Sequence, residues 1–88
     1  MGKKISVSAQ DYIEKGQFYL INKKYSEAIK QFQKALKLKP DVLIYFHLGL
    51  AYEASCQIPQ AIEMFRKAIE LDANHKEAIE HLNSLTNQ

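Results

Sequence analysis

The chain has 88 residues, enough for one hydrophobic core and too few for a two-lobed enzyme with a cleft between domains. Hydrophobic residues at 47% and charged residues at 25% match soluble globular domains and exclude an intrinsically disordered chain. A net charge of +2 gives no argument for nucleic acid or membrane as the main partner, and a single cysteine, Cys56, excludes an internal disulfide or a Cys-rich metal site, which fits a cytoplasmic location.

Three glycines and two prolines leave few places for turns, and apolar residues recur at i, i+3, i+4 and i+7, so the fold class is all-α. Residues 1–7 carry no periodic pattern and are expected to be disordered. Ser8 with Asp11 makes a capping box that opens a first helix running to about Asn22. After a turn at Asn22, Lys23 and Lys24, Ser26 is the expected cap of a second helix, which Pro40 stops near Lys39. Asp41 caps a third helix to about Ala54. Ser55, Cys56 and Gln57 break the pattern, and Pro59 stands in the first turn of a fourth helix that reaches Leu71. Asn74 with Glu77 repeats the capping-box logic for a fifth helix ending near Leu85.

A gapless shift of 33 residues superposes Tyr12 on Tyr45, Gly16 on Gly49, Tyr19 on Tyr52, Ala28 on Ala61, Phe32 on Phe65 and Ala35 on Ala68. Small residues at Gly16, Ala28, Ala35 and their mates let two helices approach closely. The tyrosines and phenylalanines fill the space around them. The second copy reads Tyr45-x2-Leu48-Gly49-x2-Tyr52, then Ala61-x3-Phe65 and Ala68. The first reads Tyr12-x2-Lys15-Gly16-x2-Tyr19, then Ala28-x3-Phe32, Ala35 and Pro40.

This pattern resembles the tetratricopeptide repeats. The resemblance implies an α-solenoid, a right-handed stack of two helix-turn-helix hairpins and a C-terminal capping helix. The expected domain spans 8–86, with repeat 1 at about 9–41, repeat 2 at about 42–73 and the capping helix at about 74–85. Three departures stand out. The stretch from Pro40 to Gly49 is one residue shorter than the family pattern. Ala73 replaces the closing proline. Lys15 replaces an apolar residue, and Asp11 and Lys15, four apart, are expected to pair in water and finish the first helix's outer face. At the other end, a shift of 34 puts Ile79 on Tyr45 and Leu82 on Leu48, so Ala78, Leu82 and Leu85 are expected to cover the fourth helix.

Catalytic and metal-binding patterns are missing. His75 and His81 are six apart on different helix faces, and no Ser or Cys stands in relation to a base, so no enzyme activity, cofactor or metal is expected. The resemblance instead implies protein binding along the concave face lined by the first helix of each hairpin. The residues expected there are Ile13, Gln17 and Leu20 from repeat 1 and Leu43, Phe46, His47, Leu50 and Glu53 from repeat 2. Ile13, Phe46 and Leu50 form an apolar strip for a hydrophobic or amphipathic segment, with Gln17, His47 and Glu53 as polar anchors. Family members that grip chaperone carboxylates use a clamp of Lys, Asn and Arg. The corresponding positions here hold Ile13, Gln17, His47, Glu77 and His81, none of which matches.

Charge is split along the chain, with +5 over residues 1–41 and −3 over 42–88. This asymmetry makes a self-associating scaffold the alternative expectation. The lysines of the second helix alone argue for RNA, and too weakly to prefer it. Met1-Gly2-Lys3-Lys4-Ile5-Ser6 fits a loose acylation pattern.

Overall fold

The computed structural model describes residues 7–87. The acylation pattern and all of the segment 1–7 except Val7 lie outside these residues. Five helices and no strand are found among the described residues: α1 (Ala9–Ile21), α2 (Tyr25–Leu38), α3 (Val42–Ala54), α4 (Ile58–Leu71) and α5 (Lys76–Thr86). α1 pairs with α2 and α3 with α4, while α3 packs on α2 and α5 on α4. Each helix therefore touches its neighbours in sequence, and stability is passed along the stack from one contact to the next.

The same side chains seal both hairpins. Ala28, Phe32 and Ala35 of α2 are fully buried, as are Ala61, Phe65 and Ala68 of α4. The two phenylalanine rings rest on Gly16 and Gly49. A Cβ added to either glycine would lie 2.5 Å from the ring's Cε1 atom. The first core gathers Ile13, Ile44 and Leu48 around the α2 residues. The second gathers Ala78 around those of α4, with Leu82 and Leu85 packed against it. Tyr52 touches both clusters and joins them. α5 thus covers α4 with the residues expected for that task.

Both hairpin turns close in one way. Lys24 N–H donates to Tyr19 O at 2.8 Å and Lys23 N–H to Leu20 O at 3.0 Å. One repeat on, Gln57 N–H donates to Tyr52 O at 2.8 Å and Cys56 N–H to Glu53 O at 3.0 Å. This is the Schellman motif, and its left-handed residue is Lys23 at φ 62° in one turn and Cys56 at φ 64° in the other. Glycine usually takes that position because a Cβ there is strained.

One of the expected helix caps forms and three differ: Asp41 stands in the N-cap position of α3 but its carboxylate makes no side-chain cap bond, and the other two are at α2 and α5. The box at Ser8 forms, with Ser8 N–H donating to Asp11 Oδ2 at 3.0 Å and Asp11 N–H to Ser8 Oγ at 3.3 Å. It takes the Asp11 carboxylate that was expected to pair with Lys15, and no Asp11–Lys15 ion pair forms among the described residues. Ser26 does not cap α2, because the residue before the helix is Lys24, the last of the Schellman turn, whose ammonium side chain has no acceptor to offer. Asn74 does not cap α5. The α4–α5 connection holds one residue more than the α2–α3 connection, so the cap moves to His75, whose Nδ1 accepts from Ala78 N–H at 3.1 Å.

The glycine seat predicts that Gly49→Ala costs about 1–3 kcal/mol by forcing the buried Phe65 ring aside, and that Gly49→Leu abolishes cooperative folding. Chemical denaturation with circular dichroism measures both, and the second substitution Phe65→Leu should return part of the loss in Gly49→Ala. For the turns, Cys56→Gly and Lys23→Gly should each stabilise by about 0.5–1 kcal/mol, raising the melting temperature by several degrees, and the gains should add.

Candidate functional site

Three helices, α1, α3 and α5, line one side of the stack, as their cross-contacts show. Gln17 of α1 meets His47 of α3, with Nε2 to Nε2 at 3.2 Å, and Glu53 Oε1 of α3 meets His81 Nδ1 of α5 at 2.8 Å. His47 Nδ1 lies 2.7 Å from Leu43 O, a carbonyl that can only accept. Nδ1 therefore carries the proton, and in the neutral ring Nε2 accepts from the Gln17 amide. Glu53 and His81 are each about one-third exposed, so their contact orients the two side chains more than it stabilises the fold.

Rings stack behind these polar contacts. His47 lies on Phe32 with centroids 5.4 Å apart, and His81 lies on Phe65 at 5.2 Å. These are equivalent placements. The second hairpin repeats the first at 33 residues, whereas α5 repeats α3 at 34, as the longer α4–α5 connection requires. Between the two stacks sits Phe46, its ring 4.9 Å from His75, 5.8 Å from His47, and 5.9 Å from both His81 and Phe65. Every histidine of the chain touches this one phenylalanine.

The eight residues expected on the concave face therefore separate. Ile13 is 9% exposed and belongs to the first core with Ile44 and Leu48, which corrects its placement in an open strip. The reason is geometric: α3 packs against both α1 and α2, and so closes over the α1 side chain that faces it. Phe46 is half-buried and occupied by its ring neighbours. Gln17 and His47 satisfy each other. Leu43 is exposed, and Leu20, Leu50 and Glu53 line an open depression of about 530 Å³ together with Tyr25 and His81. His81 was missed as a lining residue, although the 34-residue shift that sets it on His47 signalled its place. Among the described residues, no group of three or more His, Cys, Asp or Glu is placed to hold a metal ion. No described helix is long and apolar enough to cross a membrane.

A stack of paired helices with a sheltered side of this kind is a helical-repeat solenoid. The family profile described as "TPR repeat" matches residues 10–55, and that of the "Tetratricopeptide repeat" matches residues 42–75. The chain belongs to the tetratricopeptide repeat family, whose members are protein-interaction modules and not a catalytic family. Over 66 residues, 75% of its length, it is 35% identical to the mitochondrial import receptor subunit TOM70 of Saccharomyces cerevisiae. Over 71 residues, 80% of its length, it is 37% identical to the chloroplastic tetratricopeptide repeat domain-containing protein PYG7 of Arabidopsis thaliana. The chain spans only 11% and 24% of the lengths of these relatives.

Proposed function

We propose that residues 8–86 act as one non-enzymatic interaction unit that holds a hydrophobic or amphipathic peptide segment along the side lined by α1, α3 and α5. The observation that carries this reading is the depression between Leu20, Leu50, Glu53 and His81, because it draws walls from all three helices and combines apolar and polar side chains. Leu43, exposed two turns before Leu50 on α3, adds apolar surface on the same helix, and Gln17 and His47, paired with each other, bridge α1 and α3. Ile13 and Phe46 contribute from within, as packing. The free, exposed Cys56 suits a reducing compartment, which supports a cytoplasmic site of action. The receptor role in the name of TOM70 supports a protein partner here as well.

The test is a titration of isotopically labelled protein with a neutral twelve-residue peptide of leucine and glutamine, patterned as an amphipathic helix. Amide shifts should concentrate at Leu20, Leu50, Glu53 and His81. Leu50→Asp should weaken binding at least about tenfold with helicity preserved, and Leu71→Asp, on an exposed part of α4, should leave it unchanged. Shifts gathered on α2 and α4 instead would remove the groove reading.

Self-association is the second reading, favoured by one observation. Phe18 is 63% exposed on the outer side of α1, where the equivalent residue of α3, Ala51, is fully buried against its neighbours. Val7, Lys15 and Tyr19 join Phe18 around an open depression of about 590 Å³. Sedimentation should then show an oligomer that persists at high salt and is lost in Phe18→Ser, whereas dissociation by salt alone points to the charge split between the halves. A monomer at every concentration ends this reading.

A further inference from the structure

The opposite side of the first hairpin carries a second surface that the groove does not use. Where α2 turns into α3, Leu36, Pro40 and Tyr45 floor an open depression of about 620 Å³, rimmed by Lys30, Lys34 and Lys37. It shares no residue with the depression at Leu20 and Leu50. We propose that this surface docks an acidic peptide segment bearing an apolar anchor residue.

Three observations carry the proposal. First, every charged residue lining the depression is positive, and the one ion pair among the described residues joins Glu53 to His81 elsewhere, so the three lysines are not neutralised by the chain. Second, the arrangement is not imposed by the fold. The equivalents of Lys30, Lys34 and Lys37 one repeat on are Glu63, Lys67 and Glu70, a mixed stripe on a helix of the same length and packing. Lysine and glutamate have nearly equal helix propensity, whereas three like charges at i, i+4 and i+7 repel. Pro40 and Tyr45 are likewise replaced at the equivalent places by Ala73 and Ile79. The apolar floor and the basic rim therefore occur together once.

Third, one of the lysines is restrained and the floor has a definite chemistry. Lys34 lies over the Tyr12 ring, its Nζ 5.8 Å from the centroid, a contact that limits the conformations open to it. The floor favours a peptide over a nucleic acid. Tyr45 is the one aromatic side chain lining the depression and is half-buried against the second core, so the floor can seat an aliphatic side chain but holds no series of rings on which successive bases could stack. A chain of net charge +2 whose second half is acidic also lacks the extended positive field that nucleic acid binding needs. A peptide with carboxylates spaced to meet the lysines and one leucine seated on Leu36, Pro40 and Tyr45 satisfies both parts of the surface.

Fluorescence anisotropy of the full chain with a labelled twelve-residue peptide of glutamate and two leucines tests this at low ionic strength. Saturable binding that weakens with salt is expected, at least about tenfold tighter than an all-glutamate peptide of equal length and tighter than an oligoribonucleotide of equal charge. Reversing all three charges, Lys30→Glu, Lys34→Glu and Lys37→Glu, should cost at least about tenfold, while Arg66→Glu with Lys67→Glu on the second hairpin should change affinity less than about twofold. Circular dichroism checks that each variant stays folded. Should the triple variant not fold, amide shifts of the wild-type chain on peptide addition must fall at Leu36, Lys37 and Tyr45. Equal binding by the triple variant, equal affinity for the leucine-free peptide, tighter binding of the oligoribonucleotide, or shifts confined to the groove would each overturn the proposal. The groove reading is untouched by any of the first three results.

Discussion

The fold depends on one contact made twice, a phenylalanine ring laid on a glycine of the partner helix. Phe32 on Gly16 and Phe65 on Gly49 set how closely the helices of each hairpin approach. Because a ring fills the place where a Cβ would stand, each hairpin has one available separation and register, and the buried alanines at Ala28, Ala35, Ala61 and Ala68 suit only that separation. The same two rings then serve a second time. Their other surfaces receive His47 and His81 from the next helix along, so the contact that closes a hairpin also seats its neighbour.

This double use explains how so short a stack coheres. Two hairpins and a single helix leave a large share of each helix in water, and no helix is sealed on all sides. Coupling between the units falls to residues that belong to two neighbours at once. Tyr52 touches both cores and Phe46 collects rings from α3, α4 and α5. The extra residue in the α4–α5 connection shifts α5 in sequence and not in space, since His81 still lands on Phe65 as His47 lands on Phe32.

The helices and their pairing were legible because they rest on repeated apolar spacing, which one sequence displays in full. Ends and surfaces were less so. The caps at Ser26 and Asn74 failed because a tight turn and an added residue moved the helix starts, and connection geometry leaves little trace in residue types. The pairing of Asp11 with Lys15 failed because a backbone amide competed for the same carboxylate. Ile13 was placed on an open face because helical periodicity says which side of α1 a residue occupies, but not how far α3 closes over that side. Of the expected groove residues, Leu20, Leu50 and Glu53 do meet in one depression, and His81 completes it from a helix whose register was readable only through the 34-residue shift.

Repetition also separates what the fold needs from what it leaves free. Of the positions that repeat in kind, the glycines, alanines, phenylalanines and tyrosines lie in the hairpin contacts, while Leu38 with Leu71 and Lys34 with Lys67 repeat outside them. Several positions that share a place but change in kind lie on the two open sides: Leu20 against Glu53, Gln17 against Leu50, Lys30 against Glu63, Lys37 against Glu70. A duplicated hairpin under structural constraint alone has no reason to make one convex stripe wholly basic and the other mixed, or to set a leucine in one groove position and a glutamate in its mate. Asp11 against Ile44, Lys15 against Leu48 and Phe18 against Ala51 also differ, because α3 packs on a preceding hairpin and α1 has no such neighbour among the described residues. The divergence on the solvent-facing sides has no such packing cause, and it suits the two surfaces of different chemistry proposed above, because each needs a local arrangement that its copy does not share.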